Sequence, residues 1–239
     1  MIAEWKDSAR NAGVEELVEF VEMDVCDDAS VARAVEEVFE RCKTLDALVC
    51  NAGVGIFGSV EETPLPAAQA QFDTNYFGVL RTLRAVIPHM RACGRGRIVL
   101  VGSLAGRAPI PFQAHYSASK AAVDATALAL RNELHGTGIH VSLVEPGDIH
   151  TPFNDATDFG DSERSAYAGR IRSARRVIEE SLPRAPGPEV VAACIQKVLD
   201  ARRPRTRYGV GPDSWLVPLG RRFLPDALVL RLVRSHFRI

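Results

Sequence analysis

Three short apolar runs, each closing on small or glycine-bearing residues, constrain this 239-residue chain more than any other feature. Residues 45–50 run into Asn51-Ala52-Gly53, 97–101 into Gly102-Ser103, and 139–144 into Glu145-Pro146-Gly147. Mostly apolar runs of this length mark strands covered on both faces. Between them lie stretches with helical periodicity. One spans 67–92, after the Pro64/Pro66 breaker and before Gly94 and Gly96; the other spans 115–135, before Gly136 and Gly138. Strands alternating with helices of this length predict an α/β fold, a Rossmann-like doubly wound parallel sheet with helices on both faces. In such sheets ligands bind beyond the carboxyl ends of the strands. Asn51, Gly53, Ser103, Pro146 and Gly147 all fall on that edge.

The flanks are less regular. Residues 17–24 alternate apolar and acidic and end at Asp24-Val25-Cys26, which predicts a strand and a loop. Ser30 then caps a helix to about Lys43, with Val31, Val35, Val38 and Phe39 on one face. Residues 151–187 lack clear apolar periodicity and are rich in Ser, Asp, Arg and Gly, as expected of a substrate lid. A helix is expected at 188–201 and a last short strand at 208–210. Amphipathic helical segments follow over 213–238, broken at Pro218 and Pro225. With no internal repeat, 1–239 reads as one domain. Residues 1–150 are expected to form its ligand-binding core, and 188–239 its C-terminal helix, strand and amphipathic segments.

Composition narrows the functions. Apolar types make up 46% and charged types 25%, the balance of an ordinary globular domain, and the net charge is −1. A nucleic-acid binder built on bulk positive charge is therefore not expected. Charge is uneven, however: from residue 200 onward nine arginines face Asp200, Asp213 and Asp226. No apolar stretch has the length of a membrane span, and the charged opening residues do not read as a signal peptide. Five cysteines without CxxC spacing read as reduced thiols in a cytoplasmic protein. No His/Cys/carboxylate cluster has metal-ligand spacing.

Tyr116 and Lys120 stand one helical turn apart on one face. A free phenol titrates near pH 10 and is a poor acid or base at neutrality. Lowering that value by roughly three units takes about 4 kcal/mol, which one close cation can supply. Ser103, thirteen residues earlier at a strand end, can hold a substrate oxygen. Asn75 is a polar residue in a core-facing helical stretch, either a helix-kinking residue or a functional one.

Together, Asn51-Ala52-Gly53, Asn75-x-x-Gly78, Ser103, Tyr116-x-x-x-Lys120 and Pro146-Gly147-x-x-x-Thr151 resemble the short-chain dehydrogenase/reductase family, over roughly residues 17–151. The resemblance implies oxidation of an alcohol or reduction of a ketone or aldehyde with NAD or NADP. It makes Tyr116 the proton donor and acceptor, Ser103 the residue that orients the carbonyl, and Asn75 the holder of a relay water. Lys120 binds the nicotinamide ribose and lowers the tyrosine pKa. By the same resemblance Asp24 and Val25 contact adenine, and Asn51, Ala52 and Gly53 the cofactor's ribose region. Pro146 and Gly147 lie beside the cofactor, and Ile149 and Thr151 meet its carboxamide. Hydride chemistry belongs to the cofactor, so the chain needs a polarised oxygen, a matched acid and a crevice.

The family's Gly-rich strand–turn–helix and its flanking first and second strands are not found in this sequence. Two readings follow: an N-terminally truncated enzyme, or a non-catalytic binding protein in which 17–24 pairs directly with 45–50. The choice between NAD and NADP lies in that segment and is unreadable. Residues 106–115 resemble the retinol- and hydroxysteroid-dehydrogenase-like branch, which implies a bulky apolar substrate. His115 reads either as a solvent-facing residue at the helix start or as one that touches substrate. Arginines interleaved with large apolar residues over 215–237 suit either a membrane-surface or partner helix, or a helix packed over the crevice. A homo-oligomer is expected, with the alanine-rich helix at 115–135 in the contact.

Overall fold

The computed structural model describes Asp7, residues 10–151 and residues 165–239. Four strands form one parallel sheet in the order β1-β2-β3-β4: β1 (Ala47–Cys50), β2 (Gly96–Val101), β3 (Ile139–Pro146) and β4 (Arg207–Val210). Register is even along the ladders, with Val49 opposite Val99 and Leu100 opposite Leu143. Alternating side chains then sort to two faces. Ile98, Leu100, Val141 and Leu143 meet α3 (Gly78–Cys93) and α4 (Ala114–Glu133) through Leu83, Val86, Val123 and Ala127. Val99, Val144 and Tyr208 meet Val198 of α6 (Glu189–Asp200) on the other face. Both faces of β2 and β3 are covered, as the apolar runs require, while Val49 of the edge strand β1 is 37% exposed.

Residues 17–24 are not a strand. Glu15–Leu17 make one 3-10 turn, and 18–24 run on without joining a ladder. Leu17, Val18 and Met23 remain exposed at 83%, 40% and 40%. Alternation alone cannot make a strand where no neighbouring backbone receives it. Direct pairing of this segment with 45–50 is accordingly not seen, and β1 is a sheet edge among the described residues. Helix α1 (Asp28–Cys42) is capped by Asp27, whose carboxylate accepts from Ala29 N at 2.8 Å. Ser30 accepts instead from Asp24 N at 3.0 Å, so it holds the preceding turn and not the helix start.

The long helix expected at 67–92 is broken into three. Helix α2 (Leu65–Phe72) passes through a π-helical turn at Asp73–Phe77 before α3 begins. A wider turn of this kind is a frequent mark of functional sites. Over the expected lid, residues 152–164 lie outside the described residues, while Ala168–Ser181 form a regular helix, α5. Its arginines mask an inward stripe of Ile171, Ala174 and Val177, which packs with Phe57 and with Phe237 of α8 (Asp226–Phe237). Helix α7 (Leu216–Phe223) runs through Pro218. Proline is tolerated in a first turn, where its missing N–H has no partner to lose, so only Pro225 separates the two C-terminal helices.

Candidate active site

The carboxyl ends of β1, β2 and β3 carry some of the candidate residues, and α4 and the π-helical turn carry others. After β2 the chain turns at Gly102, where an added Cβ would come within 3.1 Å of Leu143 Cδ1. Ser103 follows; its Oγ accepts from Ala105 N at 3.1 Å and donates to Pro146 O at 3.4 Å. The first turns of α4 bring Tyr116 to the same place, and its phenol shares a hydrogen bond with Ser103. Tyr116 is half-buried by area, yet protein packed around its hydroxyl desolvates it. Burial pushes the phenol pKa up, and the Ser103 bond pulls the other way. The expected lowering by Lys120 is therefore not seen. Lys120 is itself buried, Nζ stands 5.8 Å from the Tyr116 ring centroid, and it donates to Val101 O at 3.0 Å. Desolvation brings this ammonium down to about 8.

Asn75 is fully buried at the π-helical turn. Its Oδ1 accepts from Val54 N at 2.8 Å, and Nδ2 donates to Val54 O and to Ser119 Oγ, both at 3.0 Å. The amide thus behaves as a piece of strand pairing the loop after β1, with one Oδ1 lone pair left for a water. Sequence reading missed two partners in this work. Gln71 donates to the same Val54 O at 3.1 Å, and buried Ser119 bridges Asn75 to Tyr116 O at 2.8 Å. Their signal was polar side chains at core positions of helices. His115 is not a solvent-facing residue: its Nε2 is enclosed, with no partner among the described residues.

A second missed group holds the loop between β2 and α4. Glu145, its side chain 3% exposed, accepts from Arg107 at 2.6 and 2.8 Å and from Arg207 at 3.1 Å. That bidentate pair fixes the loop to the end of β3. Farther on, Ile110 N donates to Ser117 Oγ at 3.2 Å, and Gly58 N donates to Phe112 O at 2.7 Å. Phe112 sits at φ 64°, a left-handed conformation that a bulky residue adopts only when its surroundings impose it.

The remaining expected contacts line the same edge. Asp24 Oδ1 accepts from Cys26 N at 2.8 Å, and Val25 lies against Gly78, where an added Cβ would clash at 2.9 Å. Arg81 Nη1 donates to Val25 O at 3.1 Å and so ties this turn to α3. Asn51 and Ala52 are exposed beyond β1. A Cβ on Gly53 would lie 3.4 Å from Asn75 Oδ1 and 3.5 Å from Lys120 Nζ, so the missing side chain keeps that space open. Gly147 N donates to Val210 O at 2.9 Å, the side chain of Ile149 joins the apolar cluster under β4, and Thr151 is half-buried. A cavity of about 580 Å³ lies elsewhere, between α6, β4 and Trp215, and none of these catalytic candidates lines it.

The residues fit a dinucleotide's nicotinamide-ribose end. Lys120 is a buried three-donor group with one hydrogen bond among the described residues, beside the space that Gly53 leaves. A parallel sheet carrying this constellation at its carboxyl edge defines the Rossmann-like oxidoreductases. The chain belongs to the short-chain dehydrogenase/reductase family: the family described as short chain dehydrogenase matches residues 2–160. It is 34% identical to 3-ketodihydrosphingosine reductase of Bacteroides thetaiotaomicron, over 93% of this chain and 84% of that one. It is 37% identical to estradiol 17-beta-dehydrogenase 1 of Rattus norvegicus, over 80% of this chain and 56% of that one. The structure of a short-chain dehydrogenase from Streptomyces avermitilis superposes with a TM-score of 0.76 at 30% identity, covering 90% and 78% of the two chains. The enzyme is thus an oxidoreductase that uses a nicotinamide cofactor, NAD or NADP, on a small-molecule alcohol or carbonyl substrate.

Proposed function

We propose that this enzyme interconverts a bulky apolar alcohol and its ketone or aldehyde, with Tyr116 as acid and base. The observation that carries the reading is the hydrogen-bonded Ser103–Tyr116 pair beside buried Lys120. When bound, the nicotinamide supplies the hydride chemistry. Ser103 and Tyr116 both direct a hydroxyl at the substrate oxygen, where charge develops as the carbonyl is reduced. Tyr116 gives its proton to that oxygen in reduction and takes it back in oxidation; a raised phenol pKa keeps the proton in place for the first. The free donors of Lys120 hold the ribose, and Ser103 opposes the desolvation of the phenol. Asn75 holds Val54 in place and keeps one lone pair for a water. Asp24 and Val25 serve the adenine end, Asn51, Ala52, Gly53, Pro146 and Gly147 the middle, and Ile149 and Thr151 the carboxamide.

An apolar substrate is supported by the wall beyond Tyr116, where Ile110 and Phe112 join Phe57 and Tyr167. The two named relatives act, by their names, on a long-chain amino ketone and a steroid. The described part of the expected lid, Ala168–Ser181, packs against this wall through Ile171, Ala174 and Val177. Homo-oligomerisation belongs to the same reading, supported by exposed Ala118, Ala125 and Ala129 on α4. A cytoplasmic setting is supported by five free cysteines, and among the described residues no helix is long and apolar enough to cross a membrane.

The test is cofactor turnover by purified protein with NADH or NADPH, offered long-chain and steroid ketones beside small polar ones. Turnover is expected with the apolar ketones. Tyr116→Phe should lower kcat by about 100- to 10,000-fold with an unchanged circular dichroism spectrum. A Tyr116→Phe protein that keeps wild-type kcat sinks the reading.

A further inference from the structure

Helices α7 and α8, joined at Leu224 and Pro225 and packed on each other, leave large apolar side chains in solvent. Trp215, Leu216, Leu219 and Phe223 recur at helical spacing and are 68%, 52%, 48% and 69% exposed, while Val217 and Gly220 turn inward. On α8, Val229, Val233 and Phe237 make the inward stripe, and Leu228 and Leu232 stand outward one turn apart, 42% and 53% exposed. Isolated exposed leucines need no explanation, but a run of this kind on two adjoining helices does.

Charge identifies what covers it. Arg222 lies beside this face with its guanidinium 5.6 Å from the Phe223 ring centroid. Arg231 and Arg234 stand on the exposed side of α8, and none of the three has an ion-pair partner among the described residues. By contrast Arg221 is neutralised by Asp226 at 2.7 Å and Arg238 by Glu180 at 3.0 Å. A second copy of the chain would bring the same unpaired arginines to a symmetric contact, like charge against like. A surface that is anionic outside and apolar beneath satisfies both halves. Amphipathic helices with arginines flanking tryptophan, phenylalanine and leucine lie in such interfaces.

We propose that α7 and α8 dock the enzyme on an anionic lipid surface, with Trp215, Leu219 and Phe223 inserted and Arg222, Arg231 and Arg234 among the headgroups. The inner stripe of α8 joins the apolar cluster that reaches Ile110 and Phe112, so docking sets the wall beyond Tyr116 next to the lipid. The interaction is one of binding, separable from catalysis, and it stands or falls whatever the substrate.

The experiment is cosedimentation of the full chain with phosphatidylglycerol/phosphatidylcholine vesicles and with phosphatidylcholine alone. Trp215 emission is followed in a Trp5→Phe background. Binding is expected on the anionic vesicles only, weakened by salt, with a blue shift of Trp215. Replacing Arg222, Arg231 and Arg234 together by Gln should lower partitioning on the order of 100-fold. Trp215→Asp with Phe223→Asp should abolish it while leaving circular dichroism unchanged, since both side chains are exposed. Failure of the folded wild-type chain to bind anionic vesicles at low salt overturns the proposal. So does binding that survives the double aspartate variant, or a dimer in solution that the same variant dissociates while vesicles are ignored.

Discussion

Burying the ammonium of Lys120 to 5% exposure costs free energy that its hydrogen bond to Val101 O does not restore, and its pKa falls to about 8. In the unfolded chain the same group titrates near its ordinary value, above 10. Between those two pH values the unfolded state holds the proton and the folded state does not, so stability rises with pH across that window. Below about pH 8 the full cost is present, roughly 3 kcal/mol for the shift involved. Lys120→Met removes the charge and keeps the stem, so its urea-unfolding free energy should exceed that of wild type at pH 7. The advantage should shrink as pH is raised toward 10. A difference that stays constant over this range would show that the ammonium carries no such cost. On the proposed role of Lys120, hydride transfer should be lost in the same variant, because the ribose would lose its donors.

At the scale of elements, the Glu145 ion pairs decide how firmly the loop before α4 is held. The carboxylate is buried and the two guanidinium groups are about three-quarters buried, so solvent screening is only partial. Removing Arg107 leaves Glu145 with Arg207 alone. Arg107→Met should destabilise the fold by about 2 kcal/mol, less than the roughly 3–5 kcal/mol of a fully buried pair, because Arg207 still pairs with Glu145. Because Ile110 and Phe112 hang from the same loop, KM for an apolar ketone should rise more than kcat falls. Equal losses in both would place Arg107 in the chemistry rather than in the wall. How much of this was legible follows from the same elements. The runs at 45–50, 97–101 and 139–144 stated their strands because burial on both faces leaves little room for polar residues, Asp46, Arg97, His140 and Ser142 being the exceptions. Ser103, Tyr116 and Lys120 were readable because strand ends and helical spacing place them without long-range information. The segment 17–24 misled because alternation is a property of a strand and its neighbour, and the neighbour is not in a local pattern. Helix α5 was hidden because arginines can cover an apolar stripe with their stems. Gln71, Ser119 and Glu145 needed the tertiary structure to show what each one bonds.

Across the whole molecule, apolar packing is divided in two. Cores on both faces of the sheet tie β2 and β3 to α3, α4 and α6, with Ile98, Val99, Leu100, Leu143 and Val144 wholly enclosed. The satellite core beneath α5 and α8 is smaller: Phe57, Ile171, Ala174, Val177 and Phe237, rimmed by half-buried Ile110, Phe112 and Tyr167. Its polar links are exposed ones, from Tyr167 to Glu61 at 2.7 Å, Ala166 N to Glu62 at 2.9 Å and Arg238 to Glu180 at 3.0 Å. Exposed charge-assisted contacts add little against solvent and salt. The satellite should therefore open as a unit below the free energy of global unfolding, as segments beside binding sites commonly do. Hydrogen exchange in low urea tests this: amides of Ala168–Ser181 and Asp226–Phe237 should share one exchange isotherm, well below that of Gly96–Val101 and Ile139–Pro146. Phe237→Ala deletes a buried ring and should lower the first isotherm by about 3 kcal/mol or exhaust it, leaving the sheet isotherm nearly unchanged. A single isotherm for all four segments, lowered as one by Phe237→Ala, would mean that the apolar wall cannot open without unfolding the sheet. Substrate would then have to reach Tyr116 past a wall as rigid as the sheet itself.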